Sequence, residues 1–180
     1  MAKRKLLKVH DRRKLFDIPA DENSLIRHYS LSPEDRLEIE LWRREYNRLG
    51  FAVQLCLMRY PGRVLGAEEV PPRAMLRYVA DQIGAHTEAF ALYARREETR
   101  RDHTPRLMAY LDTRSATAQD RRTALLAAIQ AAAMSDDGAA IGGSIVTTFR
   151  ECGSLPPAID TIERIGLAGR AIPAVGRKER

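Results

Sequence analysis

The chain has 180 residues, is 44% hydrophobic, and carries 30 Lys+Arg against 24 Asp+Glu for a formal net charge of +6. That length holds one domain or two small ones, and the apolar fraction is enough to build a core. No run of about 18 apolar residues is present, which excludes a membrane-spanning helix, and the positive balance points to a polyanionic partner.

The basic start, MAKRKLLKVHDRRKLF, lacks the apolar stretch and small-residue cleavage site of a secretory signal. The expected location is therefore the cytoplasm. A first helix is read over Val9–Phe16, ended by Ile18-Pro19, and a second over Asp21–Tyr29. Ser32-Pro33-Glu34-Asp35 is a strong helix start. Ser suits the N-cap, Pro the first turn, and the acids the positive end of the dipole. This helix is expected to run through Leu37, Leu41 and Trp42 to about Tyr46.

From Asn47 the chain reads NRLGFAVQLCLMRYPGR, apolar on every face until Pro61-Gly62. A helix that is hydrophobic all round is a core helix. The sequence next predicts a helix from Pro71-Pro72 to Gly84 and a shorter one capped by Thr87. ARREETRRDHTPRLMAYL (94–111) is a basic helix with Pro105 at a start or kink. Residues 112–122 read as loop with a helix start at Thr117, and 123–134 as an Ala-rich helix. SDDGAAIGGS (135–144) reads as a linker, with Gly142-Gly143 a flexible connection. SIVTTF (144–149) fits either a short strand or part of a helix. A last helix is expected over Ala158–Ala171, followed by a basic, frayed tail. The expected fold is all-α: a compact multi-helix bundle with helix-turn-helix-like elements. Its division is residues 1–112, a DNA-binding domain, and 113–180, a helical subdomain with a basic tail. One continuous domain is the alternative.

No catalytic constellation stands out. The chain has neither nucleophile elbow, Walker loop nor HExxH pattern. Its acids sit beside arginines on helix surfaces, as solvated ion pairs do. Two cysteines and four isolated histidines give no metal-ligand spacing, so no metal, cofactor or catalytic residue is assigned.

Three basic clusters remain: an arm with Lys3, Arg4 and Lys5; a helix junction with Arg43, Arg44, Asn47 and Arg48; and a helix start with Arg95, Arg96, Thr99, Arg100 and Arg101. Arms enter minor grooves and arginine-bearing helices fill major grooves. Asn47 is a candidate for reading adenine. Arg63, beyond the Pro-Gly turn, is a candidate phosphate contact, while Arg59 reads as an internal pair. The competing reading of the helix junction is capping and ion pairing of its arginines with Glu38, Glu40 and Glu45. A GC-rich genome yields the same Arg- and Ala-rich usage, so composition alone does not name the partner.

Four blocks, LIRHYSLSPED (25–35), NRLGFAVQLCLMRYPGR (47–63), ARREETRRDH (94–103) and AIDTIERIGLAGRAI (158–172), resemble in order and spacing the N-terminal region of transposases of the Tn-three family. The resemblance covers most of the chain and is weakest over 112–156 and the tail. It implies a helical module that binds double-stranded DNA at transposon terminal inverted repeats. It implies also that the family's catalytic RNase H-like domain lies outside these residues, so that this chain is not itself an enzyme. Pro173 and Gly176, where relatives continue as helix, point to a truncated or frameshifted product. A helical interaction module, binding full-length transposase or a second copy of itself, and a decayed fragment are the alternatives. No membrane partner is expected.

Overall fold

In a computed structural model, which describes residues 6–66 and 69–172, the chain forms two compact units. One is continuous, Ile18–Asp112; the other is split, gathering the chain before Ile18 and after Asp112. The described residues are all-α apart from two paired two-residue strands.

The continuous unit is built around its central helix. It contains α2 (Glu22–Tyr29), α3 (Pro33–Glu40), α4 (Glu45–Arg59), α5 (Arg73–Ile83), a 3-10 turn (Thr87–Ala89), α6 (Phe90–Ala94) and α7 (Glu97–Tyr110). Every residue of α4 from Leu49 to Met58 is buried, and α2, α3, α5, α6 and α7 all pack on it. Burial of a Leu or Phe side chain contributes about 1.5–3 kcal/mol, so Phe51, Leu55 and Leu57 anchor the unit. Gly50 is required by close approach: a β-carbon there would overlap the ring of Tyr93.

Local signals set most boundaries. Ser32 and Asp35 form a complete capping box at the start of α3, and Gly84 ends α5 in the left-handed conformation, with φ of 61°. Helix α3 stops at Glu40, short of the expected Tyr46. The Trp42 N–H turns back to the Ile39 carbonyl, and Arg44 is extended before α4 begins. The break brings the Trp42 ring against Phe51 and His103, at centroid separations of 5.5 and 4.1 Å.

The split unit comprises α1 (Val9–Phe16), β1 (Arg114–Ser115), α8 (Ala118–Met134), α9 (Gly138–Glu151), β2 (Ser154–Leu155) and α10 (Ile159–Ala171). The strands pair in parallel, Arg114 with Ser154 and Ser115 with Leu155. Helices α8, α9 and α10 pack on one another, and α1 lies on α9. Leu6 and Leu7 enter the core formed by Ala124, Ala128, Ile141, Ile145, Phe149 and Ile162. The described residues from Leu6 to Asp17 group with this second unit.

The expected linker over 135–144 is in large part helix. Asp137 caps α9 by accepting from the Ala139 N–H, and Ile141 and Ile145 share its buried face. Gly142 is not a flexible joint: its α-carbon faces the side chains of Leu7 and Leu15. The segment SIVTTF is helical, as one of its two readings allowed.

Candidate nucleic-acid interface

The junction between α3 and α4 presents Arg43 and Arg44 to solvent. Arg44 occupies the N-cap of α4. Its carbonyl accepts from the N–H groups of Asn47 and Arg48 at 2.9 and 3.0 Å, while its side chain takes no part in capping. Neither guanidinium has a hydrogen-bond or ion-pair partner among the described residues. Two of the acids read as their neutralisers are engaged elsewhere. Glu38 pairs with Arg106 at 2.9 Å, and Glu45 accepts from the His86 backbone N–H at 2.7 Å and meets its Nδ1 at 2.8 Å. Those His86 contacts hold the Glu45 carboxyl below its ordinary pKa and, in return, raise that of His86.

The junction between α6 and α7 presents Arg95 and Arg96, both exposed. Arg96 is the N-cap residue of α7, again without a side-chain cap bond. Its guanidinium carbon lies 5.0 Å from the ring centroid of Tyr46, in the first turn of α4. This cation–π contact joins the two basic clusters that the sequence shows separately. Arg43, Arg44 and Arg96, with Arg95 adjacent, therefore gather around the N-terminal turns of α4 and α7. An exposed surface of that kind is suited to phosphate oxygens.

Other candidate residues have different surroundings. Arg100, expected to project outward, is only 8% exposed and donates through Nη1 to the Gly66 carbonyl at 2.5 Å. The Gly66 N–H is in turn held by Glu69, which also takes both terminal nitrogens of Arg63, at 2.8 and 2.5 Å. Arg63 and Arg100 thus brace one loop. Arg101 pairs with Glu97 one turn earlier at 2.6 Å, and Thr99 is half-buried. Asn47 and Arg48 are also half-buried, and the Asn47 carboxamide oxygen and Arg48 Nε are closed off from solvent. Bidentate adenine reading needs both amide atoms of Asn47 accessible, which this arrangement does not offer. Lys3, Arg4 and Lys5 lie outside the described residues, as does the tail from Pro173.

The surface rests on a polar framework. Asp35, with no exposed surface, accepts from both terminal nitrogens of Arg59 at 2.6 Å, from the Ser32 N–H at 2.8 Å and from the Tyr110 hydroxyl at 2.7 Å. One carboxylate thereby ties the start of α3 to the ends of α4 and α7, and its partners hold it below the usual carboxylate range despite burial. The reading of Arg59 as an internal pair agrees with this geometry. Deeper in the unit, the Leu65 N–H donates to Gln54 Oε1, Gln54 Nε2 reaches the Tyr93 hydroxyl, and that hydroxyl lies 3.0 Å from His103 Nδ1. Burial pushes the His103 pKa down to about 4, so the imidazole is neutral at pH 7. Among the described residues, no group of three or more His, Cys, Asp or Glu side chains is arranged to hold a metal ion. No helix there is long and apolar enough to cross a membrane.

Fold and surface together define a helical module with exposed arginines at two helix junctions. Residues 6–168 match the family described as a domain of unknown function, DUF4158, and the chain belongs to that family. It is similar also to curated transposases. It is 35% identical over 164 residues to the transposase for transposon Tn21 of Escherichia coli and 33% identical over 164 residues to that for Tn501 of Pseudomonas aeruginosa. It is 31% identical over 169 residues to that for Tn1546 of Enterococcus faecium. These alignments cover 91%, 91% and 94% of the chain but 17% of each relative. The similarity is to the N-terminal part of the relatives.

Sequence reasoning missed Tyr46 as a member of the surface. Its only local signal was an aromatic residue two positions after an arginine pair; its partner Arg96 is remote in the chain.

Proposed function

We propose that this chain is a DNA-binding module that recognises the terminal inverted repeats of a transposon, using Arg43, Arg44, Arg95 and Arg96 of the continuous unit. The observation that carries this reading is the cation–π contact of Arg96 with Tyr46, which brings two basic helix junctions together. The similarity to transposases supplies the class of DNA. Phosphate contacts fix register and supply affinity, and base selectivity comes from groups that enter a groove beside them. The exposed arginines have the fork geometry for both tasks. The test is fluorescence anisotropy with a labelled duplex of the terminal repeat next to the gene, against a scrambled duplex, at two salt concentrations. The module prefers the repeat at both. Equal, salt-labile binding to the two duplexes contradicts repeat recognition.

A second reading, a protein-interaction module, draws on the split unit. There α8 and α10 flank a groove with Leu125, Ile165 and Ala168 and a rim of Arg121, Arg122 and Arg164. An acidic amphipathic helix fits such a groove. Alanine at Arg121, Arg122 and Arg164 would weaken such docking while leaving the duplex binding of the continuous unit unchanged.

A further inference from the structure

We propose that Tyr46 is a positioning residue for DNA binding, holding the Arg96 guanidinium beside the start of α4, where it meets the phosphate backbone. The inference rests on the DNA-binding reading and deepens it. Arg96 is an exposed, long side chain at the mouth of α7, and the rotamer entropy lost on fixing such a chain weakens binding. The ring contact removes part of that cost in advance. A cation–π contact draws on the charge of the guanidinium and forms no hydrogen bond to an oxygen, so its N–H donors remain for phosphate. Tyr46 suits this task because its own place is fixed. It lies in the first turn of the buried helix α4, is half-buried, and follows Arg44 by two residues. The ring therefore sets the spacing between the arginines of the two junctions. The aromatic ring of Tyr46 alone is needed, not its hydroxyl.

The test is a double-mutant cycle on the full chain, with affinity for the repeat duplex and thermal midpoint both measured. Tyr46→Leu is expected to weaken binding by about two- to fivefold at an unchanged midpoint, the scale of an exposed cation–π contact. Tyr46→Phe is expected to bind as the parent does. In the background of Arg96→Ala, Tyr46→Leu is expected to add nothing, because the residue it positions is gone. Additive losses, or parent-like binding by Tyr46→Leu, overturn the positioning role. Arg43→Ala/Arg44→Ala, measured alongside, separates the two levels. If that variant is weakened while Tyr46→Leu is not, only the role of Tyr46 fails. If neither that variant nor Arg96→Ala is weakened, the DNA-binding reading fails and takes this inference with it.

Discussion

The two units bury their helices by different means. The continuous unit surrounds α4 with large rings, and its fully buried side chains include Tyr29, Phe51, Phe90 and Tyr93. The split unit has Phe149 as its fully buried ring and otherwise relies on aliphatic and small residues: Gly166 lies against Leu6, and Gly169 against Ala128. Large interlocking side chains confine helix termini and the groups carried on them. Close-packed small residues bring helix axes together and depend on leaving no room for an added carbon. The unit with the rigid aromatic core is also the one that carries the gathered arginines. A surface meant to present charges at fixed spacing needs such a support.

Each unit contains an acid that closes a capping box and holds an arginine by two bonds, and this pairing sharpens the contrast. Asp35 is fully buried and joins three helices, whereas Asp120 holds Arg114, whose side chain is 49% exposed, beside the start of α8. Asp35→Ala is expected to cost about 3 kcal/mol or more, because Arg59 loses its counter-charge and α3 its cap. Asp120→Ala is expected to cost about 1–2 kcal/mol, mostly the cap. Urea unfolding of the two variants measures the difference; equal costs would remove the distinction between the two knots.

The pH dependence of stability belongs to the continuous unit in one window. His103 has a folded pKa of about 4, below the ordinary value of 6.5. Between these values the unfolded chain binds the proton and the folded chain does not, so stability rises with pH there and is lost as pH falls from 6.5 to 4. The loss is up to about 3 kcal/mol. His86, raised by Glu45, acts in the opposite sense, and weakly, since its side chain is 83% exposed. His103→Gln is expected to flatten the profile in denaturant titrations at pH 4–7. A parent-like slope in that variant would assign the dependence to other groups.

The packing contrast predicts a smaller effect. Gly50→Ala drives a methyl into the Tyr93 ring, and Gly169→Ala drives one into the backbone and side chain of Ala128. Both are expected to destabilise by about 1–3 kcal/mol, with the larger loss at Gly50, where a rigid ring must move. Thermal midpoints decide the order.

What could be read from the sequence follows from how local each signal is. The start of α3 at Ser32, the end of α5 at Gly84 and the start of α8 at Thr117 are encoded by residues within one turn of the boundary. The buried character of α4 is plain from its own composition. The start of α9 was hidden because Gly142-Gly143 favours a loop locally, and only Leu7 and Leu15 from the other end of the chain explain the need for a small residue. The burial of Arg100 was hidden for the same reason: its acceptor, the Gly66 carbonyl, lies 34 residues away. The site was legible as two clusters, Arg43/Arg44 and Arg95/Arg96. Their union through Tyr46 depends on tertiary packing that no spacing rule encodes.

The most direct test of the account is the salt dependence of DNA binding by Arg43→Ala/Arg44→Ala/Arg96→Ala beside the parent chain, with circular dichroism as the control for folding. The expected outcome is an unchanged spectrum, weaker binding, and a log–log salt slope shallower by about 2–3, the share of three lost phosphate contacts. A folded variant with the affinity and slope of the parent would contradict it and place the DNA-binding surface elsewhere.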